Sequence, residues 1–240
     1  VPVIADVEKD THLLDAGSFE SLITSRTKAV IAVHYSGQPC DMDRIIEIAK
    51  GRGIFVIEDA AHSLPAFYKN RPVGSIGDFT CFSFYATKTV TTGEGGMITT
   101  CDESLAERIR SLRLHGISRD AWNRYSESGT WQYDVMEAGY KYNPTDISSA
   151  IGIEQLKKSD EMNERRSCIA SMYNDCFSKS EYAEIYTLKN DRISSWHLYP
   201  LKIRIESAAV SRDEFIKEMK LCGISTGVHF IPLYRFSCFT

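Results

Sequence analysis

Three side chains of complementary chemistry stand close to the ends of two apolar segments. Asp59 follows one segment, while Ser83 and Lys88 flank the end of the other. The carboxyl ends of parallel strands meet at one edge of a sheet, which is where ligands of α/β proteins bind. If both segments are strands of one sheet, an anion, a hydroxyl and an amine emerge together, and the glycine-rich turn Thr91–Gly96 lies beside them.

Each of these side chains also has an ordinary structural explanation. An aspartate at the end of a strand is commonly a turn former or a helix cap. A lysine in a loop is commonly a solvated charge, and a glycine-rich segment is commonly only a turn. Spacing alone therefore favours the structural explanation, and an anion site at this edge of the sheet stays one alternative.

Apolar periodicity supports the sheet that this arrangement needs. Segments 28–33 and 54–57 are short and almost continuously apolar, as expected of strands covered on both faces. A helix at 41–50 lies between them, with apolar residues at positions i, i+3, i+4 and i+7. Together they predict a βαβ unit with parallel strands and a right-handed crossover. Further strands are predicted at 80–84 and 96–100.

The middle of the chain is predicted to be helical after an irregular region. A polar, aromatic-rich excursion is expected at 116–142, where periodicity is weak. A long helix then starts at Pro144–Thr145, continues toward Phe177 and turns apolar residues such as Ile147 inward.

The character of the sequence changes after residue 180. Strands are predicted at 196–205 and 228–231, and a capping box at Ser211–Glu214 opens a helix between them. The expected fold class is α/β, with a central mainly parallel sheet, helices on both faces and part of a small C-terminal α/β domain. The expected domains are a large domain at 1–155 and, at 156–240, an interdomain helix with the partial small domain.

Composition disfavours several other classes of protein. Hydrophobic residues make up 43% and charged residues 25% of the chain, which is ordinary for a globular protein. The formal net charge is -4 and no basic run occurs, so nucleic acid is not an expected partner. No apolar stretch is long enough to span a bilayer, so no membrane partner is expected.

The seven cysteines are scattered along the chain and odd in number. None forms a CxxC pair, and no cluster of histidine and cysteine has the spacing of a zinc site. We therefore expect no metal and reduced thiols in a cytoplasmic protein.

Eight motifs occur in order along the chain. They are QPCDM at 38–42, VIEDAAH at 56–62, VGSIGD at 73–78, CFSFYATK at 81–88, TTGEGGM at 91–97, LRLHG at 112–116, GYKYNPTD at 139–146 and GVHFIP at 227–232. Together they resemble the DegT/DnrJ/StrS family of sugar aminotransferases over essentially the whole chain. One motif alone would be unspecific, but a set in register is highly specific.

The resemblance implies a fold-type I enzyme that depends on pyridoxal 5'-phosphate (PLP). Lys88 would form the Schiff base with this cofactor and, once displaced by the amino donor, would act as the base that moves a proton. Asp59 would hold the pyridine nitrogen and keep the ring protonated. Ser83 would donate a hydrogen bond to the phosphate, and His62 matches a family position near the ring.

The resemblance also implies a homodimer with shared active sites. Either Asn143 or Lys141 would reach the cofactor phosphate of the neighbouring subunit, and the match leaves both open. His229 and His197 resemble family positions near the sugar-nucleotide pocket.

The implied reaction moves an amino group from glutamate to a keto group on a nucleotide-linked sugar, for the biosynthesis of amino sugars and polysaccharides. One alternative is a non-catalytic or truncated homologue that acts as a binding or regulatory protein. Another is a PLP-dependent sugar dehydratase, in which a histidine replaces the Schiff-base lysine, so Lys88 disfavours it.

The family normally carries a further N-terminal segment before the position of Val1. That segment supplies a phosphate-binding turn at a helix N-terminus and an aromatic side chain that stacks on the ring. The chain is therefore expected to be an internal portion of the full length of the family.

Overall fold

The computed structural model describes residues 1–117, 133–204, 206–208 and 210–238. In chain order the helices and strands are α1 Ala16–Ser21, β1 Ala29–Val33, α2 Met42–Ala49, β2 Phe55–Asp59, β3 Phe67–Tyr68, β4 Arg71–Pro72, β5 Phe79–Ser83, β6 Gly96–Thr99, α3 Glu103–Leu112, α4 Asp146–Leu156, α5 Ser159–Phe177, β7 Ala183–Ile185, β8 Arg192–Ile193, β9 Leu201–Ile203 and α6 Arg212–Leu221. Most of the excursion predicted at 116–142 lies outside the described residues.

The central sheet has four strands in the order β1-β2-β5-β6. β1 is parallel to β2, with Val33 opposite Asp59, and β2 is parallel to β5, with Asp59 opposite Cys81. β6 is antiparallel to β5 and places Gly96 opposite Ser83. The predicted α/β class with a mainly parallel sheet is therefore confirmed.

Helix α2 covers one face of this sheet because its apolar residues recur with helical spacing. Met42, Ile45 and Ile48 are almost fully buried and form one cluster with Val30 and Val56 of the sheet. Burying an apolar side chain of this size contributes about 1.5–3 kcal/mol to stability. The packing of α2 therefore fixes the two strands whose ends carry Val33 and Asp59.

The opposite face of β1 and β2 is not covered within the described residues. Ile31 is 60% exposed and Phe55 is 48% exposed, although the almost continuous apolar sequence predicts strands covered on both faces. Within the described residues, α1 and α2 both belong to the cluster on the Val30 face.

The chain divides into two compact units. The first contains Val1–Met172 and Tyr186–Pro200, and includes the central sheet. The second contains Tyr173–Ile185 and the chain from Leu201 onward, including α6 and the antiparallel pair of β7 with β9. The domain division expected at residue 155 stays a prediction.

The predicted long helix after Pro144 is two helices, α4 and α5. The backbone N–H of Lys158 donates to the carbonyl of Gln155, and a bond to the residue three positions earlier tightens the last turn of a helix. The prediction that Ile147 faces inward is also wrong, because this side chain is 76% exposed and no described element covers it.

Two strand predictions in the last part of the chain are wrong in extent. Segment 196–205 is a strand only at Leu201–Ile203, because Trp196 has a φ of 48°, which interrupts extended backbone. Segment 228–231 is not a strand, since no described strand lies beside it to take its backbone hydrogen bonds. The capping box at Ser211–Glu214 is confirmed.

Among the described helices, none combines the length and apolar character needed to cross a bilayer. The described side chains also contain no group of three or more histidine, cysteine or acidic residues that could hold a metal ion.

Replacing Ile45 by alanine should destabilise the sheet that carries the candidate site. Ile45 has no exposed surface, so the substitution leaves a cavity between α2 and the sheet and should cost about 2–5 kcal/mol of unfolding free energy. Urea denaturation measures this loss. Glu47→Ala, on the exposed side of the same helix, is the control, and equal losses in both variants would contradict the packing described.

Candidate functional site

The register of β2 against β5 brings the predicted polar residues to one edge and one face of the sheet. Asp59 ends β2 and lies opposite Cys81 of β5. Ser83 ends β5 two residues later, and alternate residues of a strand point to the same face. The parallel pairing therefore places Asp59, Cys81 and Ser83 side by side.

Asp59 has one carboxylate oxygen committed to the protein and one open to a ligand. Its Oδ1 accepts a hydrogen bond of 3.0 Å from the backbone N–H of Ala61. No described residue donates to Oδ2. The side chain is half-buried, so the open oxygen can accept a proton-bearing group of a ligand.

Lys88 lies in the loop after β5, which backbone hydrogen bonds hold closely. The N–H of Lys88 donates to the carbonyl of Tyr85 at 3.0 Å, and the N–H of Thr92 donates to the carbonyl of Phe84 at 2.9 Å. The hydroxyl of Thr89 donates to the carbonyl of Leu64 and ties the loop to the segment after β2. The loop is thus fixed against the end of the sheet.

The amine of Lys88 is set up to lose its proton more easily than an ordinary lysine. Burial lowers the pKa of Lys88, and the nearby Asp59 carboxylate opposes this shift. No described residue forms a hydrogen bond or an ion pair with its Nζ. A half-buried, unpaired amine near a carboxylate is a candidate nucleophile and base.

Ser83 can donate its hydroxyl hydrogen to a ligand. Its Oγ accepts from the backbone N–H of Tyr85 at 3.4 Å, and no described acceptor takes the hydroxyl hydrogen. Gly96 lies opposite Ser83, and a Cβ at Gly96 would come within 2.8 Å of the Phe82 carbonyl oxygen. This close approach explains why glycine stands at position 96, at the end of the turn beside the site.

Two histidines that are far apart in the sequence, His62 and His197, lie close together. The rings of His62 and His197 have centroids 4.3 Å apart. Ser195 holds them together, since its hydroxyl donates to the carbonyl of His62 and its N–H donates to the carbonyl of Gly37 at 3.2 Å. Gly37 has a φ of 106°, and a Cβ there would collide with the Ser195 hydroxyl.

A buried acid lies on the other face of β2, directly before Asp59. Glu58 has no exposed surface, and its carboxylate accepts hydrogen bonds from the Thr80 hydroxyl at 2.7 Å and the Gly77 N–H at 2.8 Å. It also contacts Nε2 of His34 at 2.9 Å. Burial alone would raise the pKa of Glu58, but these three contacts lower it below its ordinary value.

The remaining predicted residues, Lys141, Asn143 and His229, have contacts of their own. Lys141 donates to Asn143 Oδ1, so the two alternatives for the phosphate are neighbours, and no hydrogen bond or ion pair joins either to Asp59, Ser83 or Lys88. His229 lies in the second unit, with its ring beside that of Phe230.

Sequence reasoning missed the roles of Ser195, His34 and Glu58. The position of Cys81 beside the site could have been predicted, because Cys81 stands two residues before Ser83 and therefore lies on the same face of the strand. Ser195 could not, because its contact with His62 spans 133 positions and no local pattern encodes it.

In the cofactor-free protein, Lys88 should react with acetic anhydride at lower pH than the exposed Lys50. Its lowered pKa leaves more neutral amine at any given pH. Asp59→Asn should move the reaction of Lys88 to still lower pH, because the Asp59 carboxylate is the charge that raises its pKa. Competitive labelling with peptide mass spectrometry measures both onsets. Identical onsets for Lys88 and Lys50, or an upward move in Asp59→Asn, would contradict the description.

The chain is similar to proteins of known name and structure. SpsC of Bacillus subtilis, a spore coat polysaccharide biosynthesis protein, is 48% identical over 234 residues, which are 97% of this chain and 60% of SpsC. Spr1654 of Streptococcus pneumoniae in its PMP form has a TM-score of 0.90 at 33% identity, covering 100% of this chain and 65% of that one. A PLP form of the same protein also matches, with a TM-score of 0.88.

PseC of Helicobacter pylori, an aminotransferase involved in the biosynthesis of pseudoaminic acid, has a TM-score of 0.91 at 29% identity, covering 100% of this chain and 62% of that one. The chain thus spans about 60% of the length of the curated relatives it matches. Its fold, its ordered motifs and the match of residues 1–240 to one family model agree, and the chain belongs to the DegT/DnrJ/EryC1/StrS aminotransferase family.

Proposed function

We propose that this protein is a PLP-dependent aminotransferase that transfers an amino group from glutamate to a keto group on a nucleotide-linked sugar. The observation that carries the proposal is the half-buried, unpaired amine of Lys88 near the Asp59 carboxylate, at the carboxyl ends of adjacent parallel strands. Family membership and the sugar-related functions named for PseC and SpsC support the reaction class.

The donor set fits the cofactor. PLP presents an aldehyde, a pyridine nitrogen and a phosphate, which require an amine, a carboxylate and hydrogen-bond donors. Lys88 supplies the amine, Oδ2 of Asp59 is open toward a protonated nitrogen, and the Ser83 hydroxyl hydrogen has no described acceptor. All three lie at one sheet edge, as one flat ligand requires.

When bound, PLP withdraws electrons from the carbon that exchanges its proton. Asp59 supports this by holding a proton on the ring nitrogen, since a carboxylate stabilises the adjacent positive charge. Lys88 would hold the cofactor through its amine, and the freed amine would move a proton from the α-carbon of the amino donor to the cofactor and later one from the cofactor to the sugar carbon. Its lowered pKa suits this role, because only the neutral amine can accept a proton.

His62 is proposed to lie near the cofactor ring, and His197, whose ring centroid is 4.3 Å from that of His62, is proposed to contact the substrate. Neutral imidazoles both donate and accept hydrogen bonds, which matches the hydroxyl and keto groups of a sugar. His229 is proposed to contribute to sugar-nucleotide binding as well. The free state of all seven cysteines supports a reducing, cytoplasmic setting.

Borohydride reduction of the full-length protein in the presence of PLP should fix the cofactor on Lys88. The reason is that burial lowers the pKa of its amine while the Asp59 carboxylate lies nearby. Peptide mass spectrometry identifies the modified residue, and Lys88→Ala should abolish both the label and activity with glutamate and keto-sugar nucleotides. An unmodified Lys88 peptide, with Lys50 as the unlabelled control, would exclude the proposed function.

A homodimer with shared sites is part of the proposal. α4 is apolar yet leaves Ile147, Ile151 and Leu156 exposed, and a helix of this kind normally packs against a partner. Lys141 and Asn143 directly precede α4 and are close together. They are proposed to reach the cofactor phosphate of the second subunit, which makes each site depend on two chains.

Mixing two inactive variants tests the shared site. Lys88→Ala and the double variant Lys141→Ala, Asn143→Ala are each expected to be inactive as pure dimers. After subunit exchange, mixed dimers carry one intact site, so about a quarter of wild-type activity should return for random pairing. Each variant mixed with itself is the control. No recovery, although mass spectrometry shows mixed dimers, would exclude shared sites.

A further inference from the structure

We propose that His34 and Glu58 form a buried pair that positions Asp59 for its contact with the cofactor. The inference rests on the proposed function, because it concerns the carboxylate assigned to the pyridine nitrogen. Neither residue touches the face on which Asp59 lies, since Glu58 and Asp59 are adjacent in β2 and point to opposite faces. They are positioning residues and not catalytic ones.

The Glu58 carboxylate joins the segments that form the site. Its Oε1 accepts from the Thr80 hydroxyl of β5 and from the N–H of Gly77, in the turn before β5. Its Oε2 contacts Nε2 of His34, the residue after β1. One carboxylate therefore connects β2 with β1 and β5. It holds the register in which Asp59 lies opposite Cys81.

The approach of the Gly77 turn is a specific feature of the fold. A Cβ at Gly77 would lie 2.8 Å from the carbonyl oxygen of Val56 and 3.1 Å from Cγ of Glu58. Only glycine permits its N–H to reach the Glu58 carboxylate at 2.8 Å. The Gly77 turn therefore packs closely against the Glu58 carboxylate.

His34 is held in one orientation. Burial alone would lower the pKa of His34, but its contacts with Cys40 and Glu58 raise it to about 9. The backbone N–H of Cys40 donates to Nδ1 at 3.2 Å, and Nε2 lies 2.9 Å from the Glu58 carboxylate. The ring is therefore fixed from both sides, with Nε2 directed at Glu58.

The pair acts on Asp59 through position. The titratable groups around it are His34 and Cys40 on the Glu58 face, with Cys81 and Lys88 on the Asp59 face. Because their contact raises the pKa of His34 and lowers that of Glu58, the two charges offset each other. The position that the pair gives Asp59 helps it keep the ring nitrogen protonated.

Glu58→Gln tests the pair with the least change of shape. The glutamine amide would direct N–H at the N–H of His34, so the contact becomes repulsive and the negative charge is lost. The readout is the protonation of the pyridine nitrogen, followed by the 15N chemical shift of labelled PLP bound to the full-length protein over a pH series. The rate of the glutamate half-reaction is measured in parallel.

The ring nitrogen should lose its proton at lower pH in Glu58→Gln than in the wild type, and the half-reaction should slow roughly tenfold or more. Thr80→Val removes one hydrogen bond to Glu58 at nearly constant volume and should shift both readouts less, in the same direction. This milder variant keeps the test valid if Glu58→Gln does not fold. Asp59→Asn is the reference for complete loss.

Ile48→Ala is the matched control for a purely structural effect. Ile48 is buried in the same core but donates no hydrogen bond to the pair. It should lower the melting temperature without moving the protonation of the ring nitrogen. An unchanged 15N titration in both Glu58→Gln and Thr80→Val would overturn the inference while the proposed function stands. Failure of the wild type to bind PLP through Lys88 would instead overturn the proposed function.

Discussion

The parallel pairing of β2 with β5 is the constraint on which the candidate site depends. Asp59 lies opposite Cys81, so Ser83, two residues further along β5, lies on the same face. A slip by one residue would turn Asp59 to the buried face and bring Glu58 to the ligand side. Burial of Val56 against α2 and the hydrogen bonds of Glu58 both oppose that slip. The core and the site are therefore specified by the same strand.

The adjacent carboxylates of Glu58 and Asp59 have different roles because their surroundings differ. Glu58 is buried, and each of its oxygens is satisfied by the protein, so it stabilises the sheet and is unavailable to a ligand. Asp59 is half-buried and keeps Oδ2 open. The amine of Lys88 is subject to two opposing effects. Burial lowers its pKa, and the Asp59 carboxylate partly offsets this shift. The local environment thus assigns roles that residue type alone leaves open.

The sequence predicts the sheet well, because its strands and helices depend on local information. Short apolar runs and helical spacing locate β1, α2, β2, β5 and β6, and the ordered motifs offer Asp59, Ser83 and Lys88 as candidate site residues. The contact between His62 and His197 is accompanied by long-range hydrogen bonds from Ser195 to the carbonyls of His62 and Gly37, which no local pattern encodes. The exposure of Ile147 is unpredictable for a related reason, because an apolar helix gives no sign of which partner covers it.

The charge balance of the site explains why a second chain is part of the proposal. A phosphate group carries nearly two negative charges at neutral pH, and several donors or a cation are needed to replace its water. At the sheet edge described here, Ser83 offers a single neutral donor, and Lys88 is committed to the other end of the ligand. The positive charge of Lys141 and the amide of Asn143 would supply what is lacking, and they are joined to each other without any link to Asp59 or Lys88. A site of this composition calls for further donors to the phosphate, and the proposed dimer would supply them through Lys141 and Asn143.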